Sequence, residues 1–162
     1  MQRPITSHQK KLSALCAIVG AESSSKELEK IEVSGIAQAS DSVLAGDLFI
    51  ALPGEKFHGA QFASDAISRG AVAVLTDAKG AKDIKGVPVL ISTNPRRAAG
   101  IASAWFYSEP MRDLYSVGVT GTNGKTTVTT LLHQIMTAAG RDSGLIGTVE
   151  TRIGVESIAS KR

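Results

Sequence analysis

Between residues 31 and 107, short apolar runs alternate with segments of helical period at spacings too long for hairpins. This alternation restricts the chain to an α/β fold with a largely parallel sheet. Residues 31–37, 47–52 (DLFIAL), 71–75 (AVAVL) and 87–91 (VPVLI) read as strands, with Pro88 confining the last to a sheet edge or falling among its first residues. Residues 60–69 carry Phe62, Ala63, Ala66 and Ile67 at helical spacing and stop at Gly70. Residues 95–107 read as a helix with Asn94 at the N-cap and Pro95 at its first position. Near the N-terminus, Lys10 and Lys11 followed by the apolar residues 12–21 share the outline of a short secretory leader. Leu12, Leu15, Cys16, Ile18 and Val19 nevertheless fall on one helical face, so the segment reads as an amphipathic helix. No 18 apolar residues run together, which excludes a membrane-spanning helix.

The 18 basic residues against 15 acidic ones are dispersed: residues 1–110 hold 12 and 11, and residues 111–162 hold 6 and 4. With aromatic residues at 4%, no basic stripe interleaved with aromatics exists, and nucleic acid is not an expected partner. The single cysteine, Cys16, cannot form an internal disulfide, so a reducing, cytoplasmic setting is expected. Polar residues and Pro110 interrupt the apolar pattern over residues 108–113, dividing the chain into residues 1–110 and 111–162. Past that point, residues 114–120 (LYSVGVT) read as a strand, 125–139 as a helix ending at Gly140, and 144–149 (GLIGTV) as another strand.

One segment carries chemistry. Residues 117–127 (VGVTGTNGKTT) run from an expected strand through a glycine-rich turn into Gly-Lys-Thr at a helix start, the setting a phosphate-binding loop requires. Gly121 and Gly124 permit positive φ and close approach, so that the backbone N–H groups of Thr122, Asn123, Thr126 and Thr127 converge on phosphate oxygens. The helix N-terminus adds a favourable field for an anion. Lys125 is expected to neutralise the β and γ phosphates of ATP, and the Thr126 hydroxyl to ligate Mg2+. The match to the general pattern is incomplete, because its first glycine would fall at Val119 and the loop instead reads G-x-x-G-K-T.

Residues 120–127 (TGTNGKTT), with Ser116 to Val119 before them and residues 144–148 (GLIGT) after, resemble the ATP site of the Mur ligases. Residues 46–54 (GDLFIALPG), then Gly59, Phe62, Ala66 and residues 70–75, resemble the UDP-substrate domain of the same ligases. Within the family the chain is most similar to the tripeptide synthetases. The resemblance implies a small α/β UDP-substrate domain over residues 1–110, then the start of a parallel-sheet ATP domain over residues 111–162, which ends before that domain is complete. Family members often carry Asp-Ser-Arg before the GDLF strand; this chain has Ala39-Ser40-Asp41, so Ser40 alone is carried over as a uridine contact. The turn over residues 54–59 occupies the place of a UDP-facing loop, with Lys56 as the candidate toward the diphosphate.

The implied reaction is ATP-dependent addition of a diamino acid to UDP-N-acetylmuramoyl-L-alanyl-D-glutamate through an acyl phosphate, in peptidoglycan precursor synthesis. The diamino acid site and the remaining ATP-domain groups are expected outside residues 1–162, so this stretch alone is expected to be inactive, and a monomer. The alternative is a nucleotide-dependent switch or ATPase module without ligase chemistry. Other residues read more plainly: His133 as a packing or surface residue, His58 as a ligand contact or a solvent-exposed side chain, and Glu150 as solvated rather than a metal ligand. Trp105, Phe106 and Tyr107 read as packing at a domain interface, and Cys16 as a small core residue.

Overall fold

The computed structural model describes residues 8–154 and 156–159. The chain divides between Leu114 and Tyr115 into two compact units.

The first unit is built from β1 (Lys10–Lys11), α1 (Leu12–Val19), β2 (Glu22–Ser23), β3 (Glu32–Val33), β4 (Gly35–Ala37), β5 (Asp47–Ile50), α2 (Ala63–Ser68), β6 (Ala73–Thr76), β7 (Val89–Ile91) and α3 (Pro95–Phe106). Its main sheet has the order β2-β7-β6-β5-β4, with β4 to β7 parallel and β2 an antiparallel edge. Phe49 pairs with Val74, and Leu75 with Leu90. Because side chains alternate along a strand, the two faces of this sheet build two cores. Leu48, Ile50, Ala73, Leu75 and Leu90 pack with Leu12, Leu15, Ala98, Ala102 and Phe106 of α1 and α3. Phe49, Ala51 and Val74 pack on the opposite face with Ala63 and Ala66 of α2. The result is three layers, helix on sheet on helix.

Local chemistry explains the element ends. The Asn94 side chain accepts from Arg97 N–H at 3.1 Å, and Pro95 occupies the first turn of α3, as expected. Pro88 precedes β7, and its carbonyl accepts from Val74 N–H, so the missing donor costs no ladder bond. The expected strand over residues 31–37 is split at Ser34. β3 pairs with β1 in a separate antiparallel ribbon, while β4 joins the main sheet. The expected helix from Ala60 opens as a 3-10 turn over Gly59–Phe62, leaving Phe62 half exposed, and becomes α-helical at Ala63. Ile18 is likewise 47% exposed, while Cys16 is partly buried against the core, its thiol pKa pushed up by burial. Phe106 is fully buried in this unit's own core, edge-on to Tyr107, and Lys10 stands 4.8 Å from the Trp105 ring centroid. The expectation of an interface role therefore fails for Phe106, the largest apolar anchor of α3.

The second unit contains α4 (Lys125–Ala138) followed by β8 (Gly144–Ile146), β9 (Glu150–Ile153) and β10 (Glu156–Ala159). The strands form an antiparallel meander in the order β10-β9-β8. Two expectations are corrected here. Residues 114–120 form no strand, and Tyr115 is 93% exposed. A parallel strand draws its stability from neighbours on both sides and cover on both faces, and no described strand pairs with this segment. The parallel sheet expected for this unit is, among the described residues, the antiparallel meander. Leu145 and His133 are its buried side chains among the described residues, and Ser143 Oγ meets His133 Nδ1 at 2.8 Å. His133 is thus a packing residue, and Glu150 is paired with Arg152 at 2.9 Å and with Ser157 rather than simply solvated. Those two partners hold the Glu150 carboxyl below its ordinary range. No helix among the described residues is long and apolar enough to cross a membrane.

Candidate functional site

The glycine-rich loop and the start of α4 form the first site. Gly121 has φ +145° and Gly124, the residue before the helix, has φ +79°, conformations that an L side chain resists. No side chain caps the helix, whose first backbone bond runs from Val128 N–H to Gly124 C=O at 2.9 Å. The N–H groups of Lys125, Thr126 and Thr127 therefore precede the helical ladder and stand at its positive end. Residues 121–127 are all exposed. The Lys125 ammonium folds back to donate to Gly121 C=O at 2.5 Å and Thr122 C=O at 3.3 Å. A phosphate oxygen carries full charge and is a stronger acceptor than either neutral carbonyl, so this contact yields readily to an anion. The structure thus brings the seven candidates Gly121, Thr122, Asn123, Gly124, Lys125, Thr126 and Thr127 into one continuous loop and helix start. Free donors, a cation and the Thr126 hydroxyl fit a magnesium-bound nucleoside triphosphate. No cluster of three or more His, Cys, Asp or Glu fit to hold a metal exists among the described residues.

The second site lies at the carboxyl edge of the parallel sheet, where open α/β sheets take their ligands. Four loops line it, following β4, β5, β6 and β7 in spatial order. Ser40 lies in the loop after β4, partly buried, and hydrogen-bonds Asp65 of α2, which also receives Arg69 Nε at 3.0 Å. The Ser40 bond and then Arg69 hold the Asp65 carboxyl below its ordinary range. With its proton directed to a carboxylate, Ser40 Oγ keeps lone pairs for an incoming donor. Lys56 lies in the loop after β5, exposed at the tip of a tight turn. That turn is closed by Gly54 N–H to Phe57 C=O at 3.0 Å and Gly59 N–H to Leu52 C=O at 2.8 Å. A Cβ on Gly59 would stand 2.9 Å from Leu52 N, so the loop base closes only around glycine.

Two residues that sequence reasoning did not place at this edge, Arg96 and Asp77, join it beside His58 of the turn. Arg96, at the start of α3, donates to Pro53 C=O at 2.9 Å. His58, expected as a ligand contact or a solvent-exposed side chain, is only 15% exposed and is held by its neighbours. Its Nδ1 accepts from Ala60 N–H at 3.0 Å and its Nε2 meets Asp77 Oδ1 at 3.2 Å. Asp77, following β6, also accepts from Gly80 N–H at 2.7 Å. The Gly80 bond, and then His58, hold the Asp77 carboxyl below its ordinary range against a desolvation that raises it. Asp followed by glycine three residues later is a local turn signal; nothing in the sequence points Arg96 at Pro53.

An open α/β unit with loops along the carboxyl edge of its sheet, and a second unit that opens on a glycine-rich turn and a helix start, have the outline of a nucleotide-binding class of protein. Residues 32–108 match the Mur ligase family, catalytic domain, and residues 119–162 the Mur ligase middle domain. The chain belongs to the Mur ligase family. It is 45% identical over 153 residues to the UDP-N-acetylmuramoyl-L-alanyl-D-glutamate--2,6-diaminopimelate ligase of Streptomyces avermitilis, a match covering 93% of this chain and 29% of that protein. It is 41% identical over 136 residues to the UDP-N-acetylmuramyl-tripeptide synthetase of Leifsonia xyli, covering 83% and 26% respectively. The chain thus spans less than a third of the length of these curated relatives. Among solved structures, a UDP-N-acetylmuramoyl-L-alanyl-D-glutamate--2,6-diaminopimelate ligase superposes with TM-score 0.64 at 21% identity, covering 92% of this chain and 30% of that one. A D-alanyl-D-alanyl-adding ligase of Acinetobacter baumannii gives TM-score 0.64 at 22% identity, covering 84% and 30%. These likenesses establish the fold.

Proposed function

We propose that this chain supplies the UDP-substrate site and the phosphate loop of a bacterial, cytoplasmic ligase. That ligase adds a diamino acid to UDP-N-acetylmuramoyl-L-alanyl-D-glutamate at the expense of ATP. The observation that carries the reading is the exposed, uncapped start of α4, with glycines at positive φ on either side of Thr122-Asn123. A carboxylate is a poor acyl donor until its oxygen becomes a phosphate leaving group, which is why ATP is spent through an acyl phosphate that the amine then attacks. This chain's part is binding and orientation. The N–H groups of residues 125–127 receive phosphate oxygens, and Lys125 leaves the carbonyls of Gly121 and Thr122 to neutralise them. Mg2+, when bound, spreads the charge of the β and γ phosphates, and the Thr126 hydroxyl is the ligand offered here. In the first unit, Ser40 offers an acceptor to the uridine and Lys56 a cation to the diphosphate.

Calorimetric titration of the 162-residue chain tests both halves. The expected result is binding of UDP-N-acetylmuramoyl-L-alanyl-D-glutamate and of Mg-ATP, with Lys125→Ala weakening Mg-ATP at least about tenfold and leaving the UDP ligand unchanged. Nucleotide binding without affinity for the UDP ligand would instead favour a switch or ATPase module, and binding of neither overturns the proposal.

A further inference from the structure

His58 and Asp77 belong to loops on neighbouring parallel strands, β5 and β6, and are separated by 19 residues in the chain. Their side chains are 15% and 25% exposed, so the contact is largely shielded from water. Its polarity follows from its partners. A backbone amide can only donate, so Nδ1, which receives Ala60 N–H, is unprotonated, and the ring proton lies on Nε2, pointing at Asp77 Oδ1. Asp77 is itself held by Gly80 N–H. The ring fits because position 80 is glycine: a Cβ there would stand 2.5 Å from His58 Cε1 and 2.4 Å from Thr76 Oγ1. His58 also forms an isolated antiparallel bridge with Pro53, whose carbonyl is held by Arg96. The base of the turn is therefore braced from β6 and from α3, while its tip, Glu55 to Phe57, stays exposed.

We propose that the His58–Asp77 hydrogen bond is a latch holding the turn over residues 53–59 in its ligand-facing shape, making both side chains positioning residues for UDP-substrate recognition. The inference rests on the proposed UDP-substrate site. A turn ordered before binding spends less of the binding free energy on its own ordering, so releasing the latch weakens the complex while the fold persists.

The test uses the whole chain and variants that separate the two bonds of the ring. His58→Asn retains a short acceptor for Ala60 N–H but cannot reach Asp77. Asp77→Ala removes the latch from the other side, and Asp77→Asn restores a neutral acceptor. The expected outcome is that His58→Asn and Asp77→Ala weaken binding of UDP-N-acetylmuramoyl-L-alanyl-D-glutamate about tenfold, with Asp77→Asn within about threefold of wild type. Amide exchange at Glu55, Lys56 and Phe57 should speed up in the first two variants, and Mg-ATP affinity should hold in all three. Wild-type binding combined with unchanged affinity in His58→Asn and Asp77→Ala overturns the latch and leaves the proposed function standing. A wild type that binds no UDP ligand removes the proposed function. In that case, unchanged amide exchange at residues 55–57 in the variants overturns the latch as well.

Discussion

The two units bury their apolar residues to very different degrees. In the first, Leu12, Leu15, Leu48, Ile50, Leu75, Leu90 and Phe106 are essentially inaccessible, because a parallel sheet covered on both faces excludes water from both sets of side chains. In the second, α4 leaves Val128, Leu131 and Ile135 exposed, and the meander leaves Ile146 and Val149 exposed. The contrast separates two ways of making a site. The carboxyl edge of the first unit depends on long-range packing, since its residues come from four loops that only the sheet aligns. The glycine-rich loop before α4 rests on local geometry, two positive-φ glycines and a helix start, and its residues 121–127 are exposed.

The sharpest way to break this comparison is truncation of an apolar side chain in each unit. Phe106→Ala should cost the first unit about 3–5 kcal/mol in chemical denaturation, the transfer loss plus the cavity left beside Leu12 and Leu15. Ile135→Ala, at 62% exposed, should change stability by less than about 0.5 kcal/mol. A comparable loss in both would show that α4 is covered in solution. A smaller effect comes from the cap of α3. Asn94→Ala removes the acceptor for Arg97 N–H and should cost about 1 kcal/mol, read as a lowered denaturation midpoint with an unchanged denaturant slope.

The smallest effect is acid sensitivity. The Asp77 carboxyl titrates below its unfolded value of about 3.9, so its contribution is fully present above that pH and is lost as pH falls through the folded value. Melting of the first unit should be insensitive to this group from pH 7 to about 5 and should decline below about 4. Asp77→Asn should make that decline shallower without abolishing it, because the Asp65 carboxyl, held low by Ser40 and Arg69, titrates in the same sense. An acid profile identical to wild type would show that the His58 and Gly80 bonds do not stabilise the charged form.

Much of the fold was legible because its signals are local. The runs DLFIAL and AVAVL became β5 and β6 within two residues at either end, and Asn94-Pro95 opened α3 where cap chemistry requires. Errors arose where a segment's state depended on a distant neighbour. Residues 114–120 have the composition of a buried strand, yet no described strand flanks them, they form no regular element and all but Val119 are exposed. β9 and β10 pair as a hairpin that carries no parallel-strand pattern, though Gly154 at φ +58° marks its turn.

What the sequence by itself determined is the glycine-rich turn into α4 and the alternation that builds the three-layer unit, because backbone permissiveness, capping and apolar period act within a few residues. What the tertiary structure decided is the meaning of His58, Asp77, Arg96 and Ser40. Each side chain has a partner brought within reach only when β4, β5, β6 and β7 align and lay their following loops side by side. A hydrogen bond across 19 or 43 residues leaves no period or spacing in the chain, so it becomes readable only once the sheet has formed.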